Sequence, residues 1–288
     1  MRGRIVREKA RMKNLLAAFG VRTEKAEITR ETGVRLRDKV AIVTGGDTGI
    51  GKAIVLAMAR EGAKVVIDYH GDEKPAKALV REVQTFGGSA CEIGADVSKP
   101  QEMQSLIAAA IERYGKLDIM VNNAGIEEQH PFIEMPLEDY EKTLAVNLTG
   151  TWLGCQLAAQ QMVKQRRGGR IINISSVHED ITMPTNAAYC ASKGAIRMLT
   201  RTIAVELAQY GITVNDVCPG AVDTPIDAPV KSDPEKMKAL LSEIPMRRMG
   251  RPEEIAQLCV YLASEDAAYV TGASIFIDGG MSKQSGSL

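Results

Sequence analysis

The chain has 288 residues, 45% hydrophobic and 25% charged, the composition of a globular protein large enough to bury its own core. Its 36 basic and 36 acidic residues balance, so no net field draws it to nucleic acid or to an anionic membrane. Five scattered cysteines (Cys91, Cys155, Cys190, Cys218, Cys259) form no C-x-x-C pair, which argues against a disulfide framework and a zinc site and for small buried hydrophobes in a reducing compartment.

Residues 1–36 differ from the rest. Met1 to Lys13 carries Arg2, Arg4, Arg7, Lys9, Arg11 and Lys13 against Glu8, and the apolar run Leu15 to Phe19 ends at Gly20. That run is too short for a signal peptide, and no cleavage site follows it. The segment reads as an N-terminal extension: a flexible tail, an oligomer arm, or a start placed too far upstream. No apolar stretch approaches the ~20 residues that cross a bilayer, so the expectation is a cytoplasmic protein without stable membrane insertion.

From residue 37 to 288 the text alternates. Runs rich in Val and Ile predict buried strands at Val40–Val43, Lys64–Ile67, Leu117–Val121, Arg170–Ile174, Ile212–Val217 and Ser274–Ile277. Helical periods lie between them, among them Ile50–Glu61, Glu102–Tyr114 and Ala191–Ala208. Strand then helix, repeated without a linker, predicts one α/β domain: a Rossmann-like, doubly wound parallel sheet. Ligands of such sheets bind beyond the carboxyl ends of the strands.

The first strand runs into Thr44-Gly45-Gly46-Asp47-Thr48-Gly49-Ile50-Gly51, and a helix follows at once. Gly45, Gly49 and Gly51 permit a tight turn and close backbone approach, and the opening helix aims its N–H groups and positive dipole end at a pyrophosphate. Position between strand and helix is what gives a glycine cluster this meaning. The next strand ends Asp68-Tyr69-His70. An acid there holds the adenosine ribose hydroxyls and repels a 2′-phosphate. Asp68 is the candidate; if its side chain turns to the other face, Tyr69 and His70 lie nearest the ribose. With no Arg or Lys in this turn and Asp47 in the glycine loop, NAD is favoured over NADP, although His70 and Lys74 can meet a phosphate.

Tyr189 and Lys193 are spaced i and i+4, so a helix places them on one face. A phenol of pKa ~10 is a poor base at neutral pH. A neighbouring ammonium favours the phenolate, which makes the tyrosine a usable general base for an alcohol and a general acid in reverse. The run Ile171 to Ser176 and the run Val121 to Gly125 bring Ser175, Ser176, Asn122 and Asn123 to the same sheet edge. Asn147 stands within the helix between them, where Asn is a poor helix former. No metal-ligating set is read.

These pieces together resemble the short-chain dehydrogenase/reductase family over Leu36 to Met281: Thr44-Gly45-x-x-x-Gly49-Ile50-Gly51, Asp96-Val97, Asn122-Asn123-Ala124-Gly125, Asn147, Ser176, Tyr189-x-x-x-Lys193, and Pro219-Gly220-x-Val222-x-Thr224. The resemblance implies Tyr189 as the acid/base and Lys193 as the group that lowers its pKa and holds the nicotinamide ribose. It implies Ser176 as the residue steadying the substrate oxygen, and Asn147 as the holder of a water that links Lys193 to solvent. Asp96 and Val97 would meet the adenine, Asn123 to Gly125 the adenosine ribose side, and Val222 and Thr224 the carboxamide. A homotetramer is the usual assembly.

Within that family the likeness is to bacterial glucose 1-dehydrogenases, in Asn123 to Glu127, Ser175 to Glu179, Thr224 to Ile226, Ile244 to Met246, and Gly250-x-Pro252-Glu253-Glu254. Glu127 and His178 follow the strand ends nearest the reactive carbon, and a carboxylate and an imidazole suit a polyol. The expected substrate is therefore a sugar, glucose at C1 giving the lactone. The alternatives are reduction of ketones, 3-oxoacyl thioesters or steroids, and a non-catalytic dinucleotide sensor. His70 stands where those enzymes often carry Arg, which bears on NADP use. The segment Ala228 to Glu243 reads as a lid over the substrate.

Overall fold

The computed structural model describes residues 34–225 and 231–283. The basic N-terminal run and residues 228–230 of the expected lid lie outside the described residues. Seven parallel strands form one sheet in the order β3-β2-β1-β4-β5-β6-β7. They are β1 (Val40–Val43), β2 (Lys64–Tyr69), β3 (Ser89–Gly94), β4 (Ile119–Asn122), β5 (Gly169–Ile174), β6 (Ile212–Pro219) and β7 (Ser274–Ile277). The helices are α1 (Gly49–Arg60), α2 (Lys74–Thr85), α3 (Pro100–Tyr114), α4 (Leu137–Leu144), α5 (Gly150–Gln165), α6 (Ala187–Leu207), α7 (Pro234–Glu243) and α8 (Pro252–Ala263).

Alternation along each strand divides the interior into two cores. In β1, Ala41 and Val43 pack with Ile54, Val55 and Met58 of α1 and Ile255 and Val260 of α8. Ile42 points the other way, among Met103, Leu106 and Ile107 of α3 and Leu153 and Met162 of α5. Burial on both faces is why these strands read as unbroken apolar runs. The strand order reverses between β1 and β4, and that switch point opens a crevice at the carboxyl edge.

Three expectations are corrected. β3, Ser-Ala-Cys-Glu-Ile-Gly, stands outside the six predicted runs; as an edge strand it is covered less completely, so its ends are polar. β4 begins at Ile119 rather than Leu117, while Leu117 is still buried beside it. The N-terminal extension does not reach residue 36. Leu36 is fully buried, its N–H bonds the Glu61 carbonyl at 2.8 Å, and Arg35 forks onto the Glu61 carboxylate at 3.1 and 2.7 Å. Leu36→Ala should therefore cost about 2–5 kcal/mol of stability, read as a lower urea midpoint; a variant as stable as the parent would place Leu36 outside the core.

Candidate active site

The turn from β1 into α1 is built for something to lie against its backbone. Gly45 and Gly49 adopt φ of +54° and +51°, a region that side chains strain to enter. A Cβ on Gly51 would fall 2.1 Å from the Gly45 carbonyl oxygen, so only glycine lets helix and turn approach this closely. The Thr48 side chain caps none of the N–H groups at the start of α1, which stay available to an anion. Asp47 is half-buried, and burial raises its carboxyl. Ile50 packs against the core beneath the turn.

Thr44 ties the two sides of the switch point together, a role for which the sequence argument had no signal beyond its place ahead of Gly45. Its hydroxyl accepts the Asn123 and Ala124 N–H groups at 2.9 and 3.0 Å. The Asn123 amide returns bonds to the Thr44 and Gly45 carbonyls, each at 2.9 Å. Thus Asn123 and Ala124 lie alongside the glycine turn, and the exposed Gly125 follows them. Thr224 is brought to the turn from the opposite side: a Cβ on Gly49 would sit 3.6 Å from its Cβ. Val222 is held nearby by a bridge to Gly250, and Pro219 and Gly220 end β6 against Asp278.

Asp68, expected at the ribose end of the crevice, turns its side chain inward. It is 1% exposed, its Oδ2 accepts the Gly45 N–H at 3.1 Å, and burial pushes its carboxyl up to about 8. The pleat turns it beneath the glycine loop and leaves Tyr69 and the exposed His70 at the edge. Asp96 lies at the same edge and feels the charge of His70. Burial raises its carboxyl, but two bonds from Ser98, at 2.9 and 2.7 Å, outweigh that and lower it overall. Val97 is buried, its side chain packed on Gly150.

Tyr189 and Lys193 share a face at the start of α6, with the ammonium 5.4 Å from the phenol ring centre. Lys193 is 5% exposed and donates to the Ile174 carbonyl at 2.9 Å; burial lowers its pKa to about 8, against smaller opposing pulls from Cys218 and Glu179. Asn147 sits in a π-helical turn, Ala145–Thr149, between α4 and α5. Its amide accepts the Ile126 N–H at 2.8 Å and donates to the Ile126 carbonyl at 3.0 Å and the Ser192 hydroxyl at 3.1 Å. It thereby clamps the loop after β4 to α6. A Cβ on Gly125 would lie 3.3 Å from Asn147 Oδ1 and 3.8 Å from Lys193 Nζ, so both groups flank that glycine.

Ser176 accepts the His178 N–H at 3.2 Å, while Ser175 turns toward the Lys193 carbonyl. The His178 ring meets the Tyr189 ring edge-on at 6.3 Å; burial lowers its pKa, with the Glu127 charge pulling weakly the other way. Glu127 itself is half-buried and takes the Gln129 amide. Every expected catalytic and substrate residue thus comes to one edge of the sheet.

The family described as enoyl-(acyl carrier protein) reductase matches residues 45–282. Over 248 residues the chain is 44% identical to glucose 1-dehydrogenase 2 of Bacillus subtilis (strain 168), covering 85% of this chain and 95% of that relative. It is also 44% identical over 246 residues to 3beta-hydroxysteroid dehydrogenase 1 of Eggerthella lenta, covering 85% and 94%. Among solved structures, a gluconate 5-dehydrogenase from Burkholderia cenocepacia J2315 in complex with NADP and tartrate superposes with a TM-score of 0.83 at 33% identity, over 87% of this chain and 98% of that one.

If the glycine turn is the dinucleotide cradle, Gly51→Ala should weaken nicotinamide dinucleotide binding tenfold or more, about 1.4 kcal/mol. Calorimetric titration checks this; unchanged affinity would remove the turn from the cofactor site.

Proposed function

The chain belongs to the short-chain dehydrogenase/reductase family and is an NAD(P)-dependent oxidoreductase, and from that premise we propose that it oxidises a sugar or polyol hydroxyl, glucose at C1 first among them. The observation that carries this reading is the meeting of Tyr189 and Lys193 with two polar residues, Glu127 and His178, at the same edge. A pocket for an acyl chain or a steroid would want apolar groups in those two places.

The uncapped start of α1 and the turn Gly45 to Gly51 would hold the pyrophosphate, with Asp96, Tyr69 and His70 at the adenosine end. Asn123, Ala124 and Gly125 would lie along it, Val222 and Thr224 beside the nicotinamide, and Lys193 at its ribose. When bound, the dinucleotide supplies the hydride acceptor. Tyr189 takes the proton of the substrate hydroxyl, helped by the nearby ammonium, which favours the phenolate. Ser176 steadies the substrate oxygen. Asn147 fixes the distance between the β4 loop and α6, and a water beside it links Lys193 to solvent.

NAD is the preferred form on this reading. Asp68 no longer supports that preference, because it is withdrawn beneath the turn. Asp47 in the loop does, and Lys52 on α1 is paired with Glu82 at 3.0 Å. A homotetramer is the assembly we propose; Trp152 on α5 and Met198 and Val205 on α6 are large, exposed apolar groups that suit subunit contact. Residues 1–33 would precede this domain as an extension.

Initial rates for sugars, polyols, alcohols, ketones and steroids with each cofactor test the substrate; turnover of steroids but of no sugar would refute it. Tyr189→Phe should lower kcat by about 10²–10⁴-fold with little change in dinucleotide affinity, and full turnover in that variant would end the mechanism. His70→Arg should raise NADP use relative to NAD by roughly tenfold, as a guanidinium meets the 2′-phosphate; an unchanged kcat/KM ratio would move the ribose site elsewhere.

A further inference from the structure

One buried cluster of polar side chains takes no part in the reaction proposed above. Asp216 and Cys218 are alternate residues of β6 and so share one face of the sheet. The register of β6 with β7 sets Ser274 opposite Asp216. Glu179, in the turn after β5, reaches the same place. Glu179, Asp216 and Cys218 each bring one ligand-type atom to within 4.8 Å of the others. Asp216 and Cys218 are 0% exposed, and so is the Glu179 side chain.

The cluster is full of orphans. Both Glu179 carboxylate oxygens and Asp216 Oδ2 have no hydrogen-bond partner among the described residues. Ser274 approaches Asp216 without completing a hydrogen bond. Buried polar atoms are nearly always bonded, so several orphans meeting from separate segments point to something held in common. The nearest cation does not supply the bonds. Arg197 Nε lies 3.8 Å from Glu179 Oε1, too far for a hydrogen bond, and its Nη1 is drawn to Asp180 at 2.6 Å. The Lys193 ammonium is bonded to the Ile174 carbonyl. A hydrogen bond between the two acids would join two oxygens, leaving the others orphaned and the sulfur unused. A metal ion takes an atom from all three residues at once.

The donor set selects the ion. Calcium and magnesium are held by oxygen ligands. Zinc accepts thiolate and carboxylate together, in four-coordinate sites. Tetrahedral zinc bonds hold such ligand atoms about 3.3–3.7 Å apart, and Cys218 Sγ is already 3.8 Å from Asp216 Oδ1. β6 thus supplies a near-formed half of the site, which Glu179 closes. The Ser274 hydroxyl is in place to steady the ligating Asp216 carboxylate. Two carboxylates and a thiolate around a divalent ion leave one negative charge, and the Arg197 guanidinium faces it.

We propose that Glu179, Asp216 and Cys218 form a structural zinc site that fastens the turn after β5 to β6. The site goes beyond the oxidoreductase reading and does not depend on it. Burial raises the Cys218 thiol, so ligation displaces its proton to solvent.

The test uses the full chain under a phosphine reductant. As purified from zinc-supplemented growth, the parent should carry one zinc per chain, and Cys218→Ser and Glu179→Gln should carry none. Because the site is closed to solvent, Co2+ is supplied as a spectroscopic probe during refolding from urea after chelation. The parent should take up one Co2+ and show the near-ultraviolet band of a cobalt–thiolate bond, and zinc should displace it. Cys218→Ser should lose the band, whereas Cys190→Ser, at a half-buried cysteine outside the cluster, should keep it. In urea unfolding, free zinc at a hundred times its dissociation constant should lower the parent's unfolding constant about a hundredfold. Glu179→Gln keeps the thiol but should lose most of that effect, and it decides the matter if Cys218→Ser does not fold. A parent that holds no zinc and takes up no Co2+ would overturn the site. So would a band that survives Cys218→Ser, or equal stabilisation of the parent and Glu179→Gln by zinc.

Discussion

A primary ammonium removed from water is the constraint around which this site is arranged. Burying such a charge costs several kcal/mol unless dipoles or counter-charges answer it. Among the described residues Lys193 is answered by the Ile174 carbonyl at the end of β5 and by weaker pulls from Cys218 and Glu179. The balance leaves it a cation at neutral pH but not far from losing its proton. The same weak compensation gives it value, because a poorly screened charge acts strongly on a phenol next to it. Were it better solvated, it would be a more stable lysine and a weaker partner for Tyr189.

The sheet order explains why this charge can be held where a dinucleotide could reach it. Reversal between β1 and β4 separates the loops that follow those strands, and Thr44 and Asn123 then bind the loops back together by four hydrogen bonds. Asn147 performs a similar service one layer further on, tying the loop after β4 to α6 through Ile126 and Ser192. The two clamps form a chain from the glycine turn to α6. Neither Asn need touch a reacting atom to matter, since the distance between turn and phenol depends on both.

Much of this was legible in the sequence because the signals are local. Six strands announced themselves as apolar runs, and the spacing of Tyr189 and Lys193 fixed their shared face on any helix. The seventh strand was hidden because Ser89–Gly94 lies at the sheet edge, where half its residues need not be apolar. Asp68 shows a second kind of limit. Its position at a strand end pointed to the ribose, but a one-residue difference in pleat decides the face, and the Gly45 N–H claims the carboxylate. Only coordinates could reveal that bond.

Asp216 marks the far end of that scale. In the sequence it is one acid within Asn215-Asp216-Val217-Cys218-Pro219, three residues before the end of β6 and not local to Glu179. A buried parallel strand disfavours a charged residue, so the presence of an acid there is a local conflict with the fold. Its partner comes from the turn after β5, and their meeting depends on β5 and β6 being neighbours in register, Asn173 opposite Asp216. An acid placed beside another acid in a dry strand is costly as packing.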